Sequence, residues 1–170
     1  MLQLNSVANV GVHRTCTPLY EKYEATPYNT FLDPSDTTNI YSGMVMYRTG
    51  PDTVANAGSA TAAGAKPFGL SALDRNPNID DVTQVGVNAW AVWLGGSNAF
   101  FTLTAPAFDT TQSYTVPTDG TRKLLYTVSG TGQVTSSSGT NLFGVPVAEL
   151  IDVISPTQIV VRLIPFGATA

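Results

Sequence analysis

From Ile40 onward, clusters of turn-forming residues recur about every ten residues, with short runs of alternating apolar and polar side chains between them. That spacing leaves too little room for amphipathic helices alternating with strands. It favours short strands closed into a small barrel or sandwich. A first candidate strand, Tyr41 to Thr49, is stopped by Gly50-Pro51-Asp52. Val85 to Leu94 alternates, with Trp90, Val92 and Leu94 on one side and Ala89, Ala91 and Trp93 on the other. Gly95-Gly96-Ser97-Asn98 separates it from a second alternating run, Ala99 to Ala105, so the pair predicts a hairpin ended by Pro106. Further strands are expected at Lys123 to Ser129 and near Gln133 to Thr135. Val147 to Ile154 and Ile159 to Ile164 predict a second hairpin around Ser155-Pro156-Thr157-Gln158. Residues 53–66 are mostly Ala, Gly, Ser and Thr, and Gly58 and Gly64 weaken any isolated helix there, so they read as a long surface loop. The fold class is all-β: a small antiparallel β-barrel or sandwich with an extended N-terminal arm.

The arm is residues 1–39, and the β-rich domain is residues 40–170. Prolines at 18, 27 and 34 interrupt the first segment, and Tyr20, Tyr23, Tyr28 and Phe31 fall between them with neither a helical nor a strand period. Each proline fixes φ, lacks an N–H and pushes its predecessor toward extended backbone. The segment reads as an extended arm with anchoring aromatics, or else as an irregular first part of the same domain. In the arm reading, Tyr20, Tyr23, Tyr28 and Phe31 are candidate contact residues toward a partner surface. A chain lacking residues 1–39 is then expected to fold and to bind its partner more weakly.

Only 12% of the 170 residues are charged, about half the usual ~25%, while 23 threonines and 12 serines supply the polar surface. This excludes a coiled coil, a disordered acidic tail and a charge-rich helical bundle. The net charge of −4 and a pI near 4.6 speak against nucleic-acid binding, which needs clustered Lys and Arg. Arg122-Lys123 is the one adjacent basic pair. No run approaches the ~20 apolar residues of a membrane helix, and the opening Met1-Leu2-Gln3-Leu4-Asn5-Ser6 lacks the pattern of a signal peptide. Cys16 is the sole cysteine, so no intramolecular disulfide can form, and synthesis in a reducing cytoplasm is expected.

Sites for chemistry are scarce. His13 is the only histidine, and it lies in the arm, where nothing holds an imidazole for catalysis. His13 and Cys16 have half the ligands of a zinc site, with no second His or Cys to complete it, and read as a plain surface pair. Asp74-Arg75-Asn76-Pro77-Asn78-Ile79-Asp80 spaces oxygen side chains like the start of a calcium loop. However, Ile79 stands where the sharp turn needs Gly, and Val85 stands where the closing Glu belongs, so a polar turn is preferred. Trp90 and Trp93, three apart on a strand, face opposite sides; core packing is favoured over a sugar-stacking platform. No metal or cofactor is therefore expected.

Several phrases nevertheless carry a likeness: Lys66-Pro67-Phe68-Gly69-Leu70-Ser71-Ala72-Leu73-Asp74, Val87 to Leu94, and Ala99-Phe100-Phe101-Thr102-Leu103-Thr104-Ala105-Pro106-Ala107-Phe108. With Ala148 to Ile154 and Ile159 to Leu163, they resemble virion proteins of tailed bacteriophages, above all the capsid decoration (cement) proteins. The likeness covers residues 40 to 165; the first 39 residues carry none. It implies a small β-rich domain that oligomerises and sits on the outer capsid surface of the virion, reinforcing capsomer junctions. The implied partners are the major capsid protein and neighbouring copies of the chain, with no cofactor and no catalysis; the charge and the lack of an apolar span add the expectation of no nucleic-acid and no membrane partner. Three other readings compete: a tail-tube or other structural virion protein, a carbohydrate- or cell-surface-binding β-sandwich, and, last, a hydrolase built on clustered aspartates.

Overall fold

The computed structural model describes residues 16–18, 27–60, 65–75, 89–96, 99–140 and 143–165. The described residues form an all-β fold of two hydrogen-bonded units. Five strands close a barrel in the order β2 (Tyr28–Leu32), β4 (Thr53–Asn56), β3 (Val45–Arg48), β5 (Pro67–Ser71) and β6 (Ala89–Trp93). A six-stranded sheet runs in the order β1 (Cys16–Pro18), β7 (Phe100–Thr104), β11 (Gln158–Leu163), β10 (Ala148–Ser155), β8 (Leu124–Thr127) and β9 (Val134–Thr135). All pairings are antiparallel except one, β2 beside β4, which closes the barrel. No α-helix occurs among the described residues; two short 3-10 turns lie at Ala57–Ser59 and Ser138–Thr140.

Strand alternation gives the protein two cores. Inside the barrel lie Leu32, Ile40, Met46, Val54, Trp90 and Val92. Val45 and Leu70 stand on barrel strands but belong to the second cluster, with Phe101, Phe108, Leu125 and Ile159, all unexposed. Neighbours Val45 and Met46 thus serve opposite cores, as the two-residue period of a strand requires. One wall of the barrel is thereby packed on the six-stranded sheet.

The hairpin expected around residues 95–98 does not form. β6 pairs with β2 and β5 in the barrel, whereas β7 pairs with β1 and β11 in the other sheet. The glycines mark a corner between sheets: a Cβ at Gly95 would stand 2.3 Å from the Ile164 carbonyl oxygen, so the bare backbone turns hard against the end of β11. The other hairpin stands. β10 and β11 pair from Ala148↔Leu163 to Ser155↔Gln158, with irregular register near Ile151 and Ile154.

The surface loop expected over residues 53–66 is also corrected. Val54, Ala55, Asn56 and Ala57 are buried, the first three in β4; residues 61–64 lie outside the described residues. Small side chains are needed there for close approach, since a Cβ on Gly58 would meet the Thr131 backbone at 2.6 Å. Turns rely on hydroxyls. Asp33, Asp36, Asp109 and Asp119 each accept from the N–H and the hydroxyl of the residue two further on, at 2.6 to 3.0 Å.

The described parts of the 1–39 segment are built into both units. β1 pairs with β7, and β2 lies between β4 and β6 with Leu32 in the barrel core.

Candidate contact site

Of the four candidate contact residues, Tyr28 and Phe31 are described and both are exposed, at 37% and 52%. Tyr20 and Tyr23 lie outside the described residues. The structure separates the two it places. Tyr28 and Phe31 are three apart on β2 and so project to opposite faces of the strand. Phe31 stands on the outer face, opposite Ala89 and Thr53, between the inward Thr30 and Leu32.

Tyr28 instead joins a cluster that the sequence does not announce. The Phe68 ring meets the Tyr28 ring edge-on, with centroids 5.6 Å apart. The Arg48 guanidinium lies 4.3 Å from the Phe68 centroid and 6.0 Å from that of Tyr28. Three strands supply these side chains. Phe68 is aimed by an irregularity in β5: Met46 pairs with Gly69 and Tyr47 with Pro67, leaving Phe68 as the extra residue. Such a bulge re-aims a side chain, and here it packs Phe68 against the barrel core rather than beside Leu70. Gly69 permits this, because a Cβ there would stand 2.3 Å from the Trp93 carbonyl oxygen on β6. Arg48 ends β3, exposed.

The other described arginines are paired: Glu149 on β10 pairs with Arg162 on β11 and with Arg122, just before β8, and buried Arg75 donates to the Asp36 carbonyl oxygen. Among the described arginines, Arg48 alone has no oxygen partner; its guanidinium carbon lies over the Phe68 ring and, further off, over that of Tyr28. Asp33, just past β2, is held below its ordinary range by the Ser35 hydroxyl, then by the Ser35 N–H and the Thr49 hydroxyl. Chemically the arrangement offers an apolar seat with one fixed cation.

Other sequence candidates have structural roles. Trp90 is buried in the barrel and its Nε1 donates to Ser71 Oγ at 3.0 Å, while Trp93 meets the Phe101 ring at a tilt of 47° with centroids 5.5 Å apart. The pair forms no exposed platform, as core packing predicted. Asp74, first of the calcium-like loop, accepts the Ser42 N–H, and residues 76–80 lie outside the described residues. Cys16 is buried in the second core, and burial, then the Asp74 charge, pushes its thiol well above the ordinary range; His13 lies outside the described residues. Among the described residues, no three His, Cys, Asp or Glu side chains gather as a metal site would need. A shallow groove between the 38–44 loop and the β8–β9 turn is lined by Thr38, Tyr41, Met44, Pro106 and Gln133, among others. No helix among the described residues is long and apolar enough to cross a membrane.

The family model described as "Phage cement protein" matches residues 2–170. The match takes in the first 39 residues, where sequence phrases alone carried no likeness. No curated protein and no solved structure matches the chain.

Proposed function

The chain belongs to the phage cement protein family, a family of structural, capsid-associated phage proteins, and from that premise we propose that it binds the outer surface of an assembled capsid and stabilises it at capsomer junctions. The observation that carries the reading is the family match over essentially the whole chain. An all-β body with an exposed Arg–aromatic cluster supports it, because Tyr and Arg are the residue types that dominate protein contacts. The low charge of the chain has the same bearing, since the cores of such contacts are depleted of charge.

In this reading the partners are the major capsid protein and neighbouring copies of the chain. The protein is not an enzyme, takes no cofactor, and contacts neither nucleic acid nor membrane. It is made in the host cytoplasm and ends on the outside of the virion. Residues 1–39 form the contact segment, presenting Tyr20, Tyr23, Tyr28 and Phe31, and residues 40–170 form the decoration domain into which that segment is built.

Stabilisation by such a protein is mass action: a ligand of the closed shell that does not bind the loosened shell adds about 2.7 kcal/mol per site at a hundred times its Kd. The test uses phage heads stripped of the protein and purified chain added back. The expected result is chain sedimenting with heads and a higher melting midpoint of the shell. Assembly of the chain alone into rings or tubes, without affinity for heads, would overturn the proposal in favour of a tail role.

A further inference from the structure

We propose that Arg48 is where the molecule grips a carboxylate side chain of the capsid protein, with Phe68 and Tyr28 as the aromatic seat around it. The inference rests on the capsid-binding reading above and names the chemistry of the partner at that surface. Arginines elsewhere among the described residues are already engaged: Arg75 by a backbone carbonyl, Arg122 and Arg162 by Glu149. Arg48 is exposed, and its guanidinium carbon lies over the Phe68 ring, 4.3 Å from the centroid. An aromatic ring attracts the cation but accepts none of the five N–H donors of a guanidinium well, and their planar fork matches the two oxygens of a carboxylate. Holding the side chain against two rings also removes rotamer freedom before binding, so less is lost on contact.

A phosphate would fit the same fork, but the chain argues for a carboxylate. Its net charge is −4, and Arg48 is one of only eight basic residues, too few and too dispersed to hold a polyanion.

The experiment measures binding of the unaltered chain, Arg48→Gln, Arg48→Lys and Phe68→Leu to stripped heads, at several salt concentrations. The expected result is a loss of about 30-fold or more for Arg48→Gln, the size of a hot-spot truncation, with a flatter salt dependence. Arg48→Lys keeps the charge and the stem and is expected to recover only part of the loss, because an ammonium lacks the fork. It carries the test if the glutamine variant fails to fold. Phe68→Leu is expected to weaken binding while keeping the salt dependence. Equal binding by Arg48→Gln and the unaltered chain, or competition by free DNA, would overturn the carboxylate grip alone. Failure of the unaltered chain to bind heads would overturn the capsid reading and this inference together.

Discussion

Cys16 is 4% exposed in the second core, and its thiolate is opposed by burial and then by the Asp74 charge. The native thiol therefore stays protonated where an unfolded one ionises, near pH 8.5. A folded pKa above the unfolded value means that this stability is fully present below the unfolded pKa and is lost as pH rises past it, by up to ~1.4 kcal/mol per pH unit. Thermal melts of the native chain should hold steady from pH 7 to 8 and fall above pH 8.5, whereas Cys16→Ala should fall less steeply. The thiol should also resist aromatic disulfide reagents until the chain unfolds. Tyr114, raised chiefly by burial and then by the Asp109 charge, adds a second alkaline loss as unfolded tyrosines ionise near pH 10. Asp33 runs the other way. Its lowered pKa contributes stability present above about pH 4 and lost as pH falls through the folded value. Ser35→Ala removes the largest cause, so carboxyl titration followed by NMR should show Asp33 moving back toward the ordinary range.

At the scale of elements, β2 holds the barrel shut. It is hydrogen-bonded to β6 on one side and β4 on the other, and Leu32 is 3% exposed in the barrel core. Leu32→Ala should cost about 2–5 kcal/mol, read as a lowered denaturation midpoint. A chain beginning at residue 40 would lack this strand, so its denaturation should lose the sharp cooperative transition rather than merely bind heads less well. That expectation departs from the one drawn from sequence, and the reason is physical. The prolines and scattered aromatics of residues 1–39 hide strands of only three and five residues, too short to show a period. Longer strands were legible: β10 and β11, at eight and six residues, lie where their alternation and Pro156 turn put them. The false hairpin at residues 95–98 shows the limit of alternation. Periodicity reports that two runs are strands, but not which neighbour each one takes. The candidate contact cluster was half legible for a similar reason. Tyr28 stood out as an aromatic among prolines, whereas Phe68 reaches it through a bulge, a register event with no signature in composition, and Arg48 joins from the end of a third strand.

Over the whole molecule, the chain enters the six-stranded sheet at β1, leaves it for all five barrel strands, and returns at β7. β1 and β7 are neighbours, and Pro18, where the chain departs, pairs with Phe101, beside the residue where it comes back. The barrel is thus an excursion clasped at its base by three antiparallel pairs. Both ends of the excursion lead from one edge of the sheet into the same barrel, so a load that separates barrel from sheet pulls β1 and β7 the same way and spares the pairs between them. It falls instead on the β7–β11 ladder and on the contacts of Val45, Ala57 and Leu70 in the second core. An optical trap with one handle on the barrel and the other on β10 should therefore record no early, low-force step before the second core breaks. An early step, with β1 leaving β7 first, would mean that the clasp bears the load after all. A loop of thread knotted twice at one hem tugs on the cloth, not on the space between the knots.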